Sequence, residues 1–377
     1  MSEHFRTVQV PAGPGGAFAA LEAIHELFED EQSVALIPAH SPESLTAIRQ
    51  HEPIHADEPT LILCTSGSTG VPRGVELTVT AIGEAAALSA MALGSQSVWL
   101  AALPVTSIGG LNPLIRSALA GTAPVIWDGI GGAYSFEAEE FTAFLDATAV
   151  AAKKQKLSSA VSLVPTQLHR IAERPEALAA LAALDYVLVG GGAVTPAIAD
   201  RVQSSGVNLI RTYGSTETSG GICYNGVELE EVSFEFDEDQ RVIVHSPTLA
   251  VAYRDGEKIA PAWRSSDRGQ LIDGALSILG RVDDIRKVAG HNVDLRRLEH
   301  QLESTNEIRS VAVVGADDDE YGCVPVIAYS GEMTESRVEE LARETLDGLG
   351  IPLRIRKLDS LPMLTNGKPD RVRISQL

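Results

Sequence analysis

Thr65-Ser-Gly-Ser-Thr-Gly70-Val-Pro-Arg-Gly74 follows immediately on the apolar run Thr60-Leu-Ile-Leu-Cys64, which is itself preceded by Pro59. A short apolar run bounded by proline and by glycine-rich sequence reads as a buried strand ending in a loop. Phosphate suits such a loop. Gly67 and Gly70 let backbone N–H groups approach an anion without Cβ obstruction, Thr65, Ser66, Ser68 and Thr69 bring hydroxyls, and Arg73 brings charge. The loop is not of the Walker type, which needs G-x-x-x-x-G-K-[ST].

Outward from this loop, apolar runs alternate with alanine-rich helical patterns: Ala17 to Phe28 as a helix, then Val98 to Leu103, Ala160 to Val164, Tyr186 to Val189 and Leu209 to Thr212 as strands. That alternation predicts an α/β fold with mainly parallel sheets. From about Val242 short runs punctuated by Gly and Asp (Arg241 to His245, Gln270 to Ile272, Leu276 to Leu279) predict a small β-rich section. Beyond Asp284 a helix around Asp294 to Leu302, strands at Ser310 to Val314 and Val324 to Tyr329, and a helix from Glu335 to Leu346 predict a small α+β domain. The expected organisation is a large N-terminal domain over 1–282 and a small C-terminal domain over 283–377, in keeping with a length above what one core usually organises.

Composition narrows the function. The formal charge of −21 repels a phosphate backbone, so nucleic-acid binding is not expected. Lys153, Lys154 and Lys156 form the densest basic run and read as a solvated helix face, as does the acidic run Asp317 to Glu320 for a loop. Three widely separated cysteines, Cys64, Cys223 and Cys323, suit neither a disulfide framework nor a zinc site. No membrane span is expected, and the first thirty residues lack the pattern of a signal peptide, so a cytoplasmic location is expected.

A second chemical segment, Tyr213-Gly-Ser-Thr-Glu217, follows a strand, where a carboxylate beside hydroxyls suits a magnesium ion bridging phosphates. Taken alone, Glu217 also suits the capping of a local turn. Three more segments follow in order: Trp263-Arg-Ser-Ser-Asp267-Arg-Gly269, Gly280-Arg281-Val-Asp283-Asp-Ile-Arg-Lys287-Val-Ala-Gly290, and Leu361-Pro-Met-Leu-Thr-Asn-Gly-Lys368. Together and in this order they resemble the acyl-adenylate-forming superfamily, which includes acyl- and aryl-CoA synthetases, luciferases and the adenylation domains of peptide synthetases. The resemblance runs from about Thr60 to the C-terminus.

The resemblance implies ATP, Mg2+ and coenzyme A, and a small mobile C-terminal domain that closes in two orientations. It implies that Lys368 stands between the acid and the α-phosphate, where an ammonium offsets the repulsion of two anions. Thr216 and Glu217 would attend the phosphates, Glu217 as the metal ligand. Asp267 would accept from both ribose hydroxyls and Arg281 would donate to the same sugar. Gly190, Gly191 and Gly192 would let adenine lie on backbone, with Tyr213 stacking on it beside Gly214. Asp283 occupies the hinge position, with helix capping as its other reading. Lys287 and Gly290 would replace Lys368 and admit the pantetheine arm after rotation.

Within that superfamily, Leu103 to Leu111, Ser162 to Leu168 and Arg211 to Gly221 look like the o-succinylbenzoate:CoA ligases of menaquinone biosynthesis, in a shortened form. Two departures are that Ser107 stands where the family often has histidine, and Arg73 where it has lysine, which leaves the orientation of the acid open. A pocket for o-succinylbenzoate would draw on Ser107, Gly109, Gly110, Gln167, Thr218 and Gly221. Arg116 is the expected receptor of the retained carboxylate, or else an exposed helix arginine. Another acyl or aryl acid, or a carrier-protein thiol in place of CoA, is the alternative reading.

Overall fold

The computed structural model describes residues 4–65, 72–305, 307–346, 348–363 and 369–377, with backbone alone at Asp283. They form two compact units. The first comprises residues up to 235 together with 243–264 and 271–277; the second comprises 236–242, 265–270 and 278–377. No helix among the described residues is long and apolar enough to cross a membrane.

The first unit carries two sheets. One has the order Arg6–Val10, Val34–Pro38, Thr60–Thr65, Arg73–Thr78, Ala252–Tyr253. Its first three strands are parallel, whereas Thr60–Thr65 and Arg73–Thr78 form an antiparallel hairpin with Thr65 opposite Arg73. The phosphate-loop segment is therefore the connection of a hairpin, and Ser66, Gly67, Ser68, Thr69 and Gly70 lie outside the described residues.

The other sheet has the order Val227–Glu228, Gly220–Tyr224, Leu209–Ser215, Tyr186–Val189, Ser158–Leu163, Ser97–Ala101, Val125–Ile126. Strands from Leu209–Ser215 onward along this order are parallel to one another, and the two beginning at Gly220 and Val227 are antiparallel additions. All five residues of Ser97–Ala101 are buried. That explains its unbroken apolar character, since a parallel strand covered on both faces has no solvent side to alternate toward. The expected parallel architecture is thus present, with strand positions as read from the sequence.

A four-stranded sheet, in the order Ser233–Phe236, Arg241–His245, Trp263–Ile272, Ala275–Arg281, forms the β-rich section. In the second unit Ile308–Asp318 pairs antiparallel with Gly322–Gly331, which pairs parallel with Arg354–Lys357. Alternation along these strands separates two faces. Val311, Val313, Ile327 and Tyr329 pack with helices Leu295–Glu303 and Glu335–Thr345. Ala312, Val314, Ala316, Val326 and Ala328 pack with Leu361 and Ile374 of the C-terminal segment.

Candidate active site

The parallel strands of the first unit end in turns that converge. Gln167, in the first turn of helix Pro165–Ala172, accepts from Val164 N at 3.2 Å and donates to Ala102 O at 3.5 Å, joining the turns after two neighbouring strands. Asn112, on helix Ile108–Leu119, is buried and donates to Ser219 O at 3.1 Å, which ties that helix to the turn after Glu217. Openings at the carboxyl ends of parallel strands are where α/β folds place their ligands.

Glycines permit this convergence. A Cβ at Gly190 would lie 2.4 Å from Thr212 Oγ1, one at Gly110 would lie 2.2 Å from Pro104 O, and one at Gly214 would lie 1.9 Å from Gly220 O. Gly191 has φ +75°, a conformation that L side chains rarely adopt, and Gly191 and Gly192 are exposed. The result is an open stretch of backbone, with Gly190 against Thr212 and Gly191 and Gly192 next to Val164 and Pro165. Tyr213 is half-buried, its ring meeting that of Phe234 edge-on at 6.4 Å.

Glu217 lies on a single 3-10 turn, Thr216–Thr218, and is 9% exposed. Its Oε1 accepts from the Tyr253 hydroxyl at 2.9 Å, and its carbonyl accepts from Ala250 N at 2.8 Å. The Tyr253 hydroxyl in turn accepts from Trp263 Nε1 at 3.3 Å. Burial first, and then the charge of Glu217, push the Tyr253 phenol well above its ordinary value. On the other side the Arg73 guanidinium lies 3.5 Å from the centroid of the Tyr253 ring. Arg73 donates to Asp255 through Nε at 3.0 Å and through a terminal nitrogen at 2.9 Å, and to Glu257 at 2.7 Å.

Several sequence expectations change here. Arg73, expected to lend its charge to phosphate, is paired here with Asp255 and Glu257 and lies against the Tyr253 ring. Arg116 is not at the strand ends. Its helix runs back along the sheet from the end of strand Ser97–Ala101, so a residue two turns in lies beside the start of that strand, 4.8 Å from the Trp99 ring in a groove with Leu93 and Ser97. Ser107 caps this helix, accepting from Gly110 N at 3.4 Å and donating to Pro104 O at 2.7 Å. Thr218 is buried and its hydroxyl meets Ser215 N at 2.9 Å and Gly220 O at 2.7 Å. Ser107, Gln167 and Thr218 therefore shape the turns through internal bonds, while Gly109 is exposed and Gly221 half-buried.

In the second unit Arg281 donates to Asp267 Oδ1 at 3.2 Å, bringing together the two residues expected at the ribose. Lys287 lies on the hairpin Ile285–Val288/His291–Asp294, whose turn is Ala289-Gly290 with φ +48° and +85°. Two consecutive positive φ values make the tight hairpin turn that glycine favours. Lys368 lies outside the described residues; on either side of it Met363 pairs with Pro369, and Asp370 N donates to Pro362 O at 2.8 Å.

Among the described residues no group of three or more His, Cys, Asp or Glu side chains gathers, and Mg2+ characteristically takes one or two carboxylates with phosphate oxygens and water. Glu217, with Oε2 not taken by Tyr253, fits that role. Burial pushes the Cys64 and Cys223 thiols up to about 11, so neither supplies a thiolate near neutrality.

A family model described as AMP-binding enzyme matches residues 17–247. The chain belongs to this family. The AMP-binding match spans the phosphate-loop segment, the Gly190 turn and Glu217. A protein of Mycobacterium tuberculosis (strain CDC 1551 / Oshkosh) named probable 2-succinylbenzoate–CoA ligase is 32% identical over 382 residues, covering 97% of this chain and 96% of its own. Among solved structures of the AMP-binding fold, the o-succinylbenzoate CoA synthetase (MenE) of Bacillus subtilis with the acyl-adenylate OSB-AMP superimposes with TM-score 0.72 at 21% identity, covering 99% of this chain and 88% of that one. The same enzyme with ATP and magnesium ion superimposes with TM-score 0.75 at 19% identity, covering 99% and 90%.

Proposed function

We propose that this chain is an AMP-forming ligase that joins o-succinylbenzoate to coenzyme A. A carboxylate oxygen of the acid attacks the α-phosphorus of ATP, the bond to the β-phosphate oxygen breaks, and pyrophosphate leaves. The thiolate of CoA then attacks the acyl carbonyl, the bond to AMP breaks, and the thiol proton passes to solvent. The near end-to-end match to a relative bearing that name carries the choice of acid and thiol. The pairing of Glu217 with the base of the phosphate loop through Tyr253 supports the adenylation step.

In this reading Glu217 holds Mg2+, which screens phosphate charge when bound. Gly190 to Gly192 and Tyr213 receive the base, and Asp267 with Arg281 receive the ribose. Thr65 and the loop 66–70 receive phosphate, and Thr216 lies beside Glu217. Lys368 offsets the repulsion between acid and nucleotide. Asp283 is the hinge between domains 1–282 and 283–377, and Lys287 and Gly290 serve the thioester step. The cell compartment is the cytoplasm, where ATP and CoA are available.

Pyrophosphate and AMP release, measured over a panel of aryl and acyl acids with and without CoA, tests this. The expected result is CoA-dependent AMP release with o-succinylbenzoate. Activity with another acid alone would overturn the substrate, and transfer only to a carrier-protein thiol would overturn the acceptor. Replacing Lys368 by alanine is expected to slow adenylation by about 10²–10³-fold, the range for losing one charge-stabilising donor, and to slow thioester formation from supplied acyl-adenylate much less.

A further inference from the structure

We propose that Tyr253 is a positioning residue for adenylation: its hydroxyl fixes one oxygen of Glu217 and so aims the other, while its ring seats Arg73 at the end of the phosphate loop. This rests on the reading of Glu217 as the magnesium ligand. The hydrogen-bond inventory leaves the hydroxyl little choice of orientation. Trp263 Nε1 is only a donor, so it takes an acceptor site on the phenol oxygen, at 3.3 Å. The single phenol proton is then left for Glu217 Oε1, 2.9 Å away.

A carboxylate on a short 3-10 turn otherwise has free rotation about its last torsion. Here one oxygen is tethered and the backbone is tied through Ala250, so the direction of Oε2 follows from the position of Tyr253. Tyr253 is itself fixed by pairing with Val75 on the strand that begins at Arg73. The phenol edge thus addresses the metal ligand, and the phenol face carries the guanidinium that Asp255 and Glu257 hold. One side chain sets the spacing between Arg73 and Glu217. Such positioning acts on the aim of groups that themselves meet substrate.

Tyr253→Phe removes the hydroxyl and keeps the ring. Calorimetric titration of ATP into the full-length protein at a series of Mg2+ concentrations, without acid, is the deciding measurement. The expected result is a half-saturating Mg2+ concentration raised about tenfold, with Mg2+-free ATP binding within about twofold of wild type and an unchanged melting temperature. Trp263→Phe, which frees an acceptor site but leaves the phenol proton in place, is expected to shift the Mg2+ requirement by about twofold at most. An unchanged Mg2+ requirement in Tyr253→Phe would overturn the proposal. Equal loss of Mg2+-free and Mg2+-dependent binding would also overturn it, as would wild-type ATP binding indifferent to Mg2+. If the shift occurs while no acid in the panel releases pyrophosphate, the positioning role stands and the ligase reading fails.

Discussion

Arg254, 1% exposed, uses all five of its N–H donors: Nε on Ile48 O, one terminal nitrogen on Pro53 O and Glu76, and the other on Arg49 O and Glu52 O. Glu76 is likewise buried, and its carboxylate also receives His55 N at 2.9 Å and faces His55 Nδ1 at 3.0 Å. This cation closes the 48–55 segment against the hairpin Thr60–Thr65/Arg73–Thr78, and a Cβ at Gly74 would stand 2.6 Å from its side chain. Replacing Arg254 by alanine strands a buried carboxylate and four carbonyls. It is expected to cost about 3–5 kcal/mol, read from chemical denaturation. Lysine, with three donors and no planar fork, is expected to recover less than half of that.

Helix Leu295–Glu303 shows how an element of the second unit is held. Asp294 caps it, accepting from Arg296 N at 3.1 Å and Arg297 N at 2.9 Å. Buried Glu299 receives Val313 N at 2.7 Å and Arg371 at 2.9 Å, joining helix, sheet and C-terminal segment. At the helix end, burial acts to raise Glu303, but its bond to His300 and the charge of Arg296 outweigh that and hold it below its ordinary 4.5. A carboxyl depressed on folding contributes stability above its unfolded value and loses it as pH falls through the folded one. Amide protection factors in this helix, taken relative to the intrinsic exchange rate at each pH, are therefore expected to fall below about pH 4.5. In Glu303→Gln that fall is expected to be smaller, the same contribution being absent already at neutral pH.

Across the whole molecule the charge of −21 opposes the approach of three anionic reactants, since ATP, CoA and a dicarboxylate all carry the same sign. On the proposed reading the favourable groups would be local: hydroxyls, backbone N–H groups, Lys368 and a metal ion. Screening weakens the long-range field more than it weakens contacts inside a cleft. Raising NaCl from about 10 mM to about 150 mM is accordingly expected to increase kcat/KM for ATP. A fall on adding salt would point to a positive local field steering the nucleotide, and stopped-flow association rates would separate the two.

What the sequence determined by itself was local. Apolar runs between glycine-rich turns marked the parallel strands because strands covered on both faces need no polar side, and Glu217, Asp267 and Arg281 stood in segments short enough to read as units. The apolar run Ser310 to Val314 likewise marked a strand of the small domain. Partners far apart in the chain left no such trace. Arg73 and Asp255 are 182 residues apart, and neither segment alone says that their charges cancel. Tyr253 lies outside the quoted segments and Trp263 only opens one of them, yet the two bond in series to Glu217; Arg116 follows a glycine turn at helical spacing, yet its helix carries it back along the sheet. Which side chain compensates a charge, and at which end of a strand a helix leaves it, depend on the packing of distant segments, and only the tertiary structure decides them.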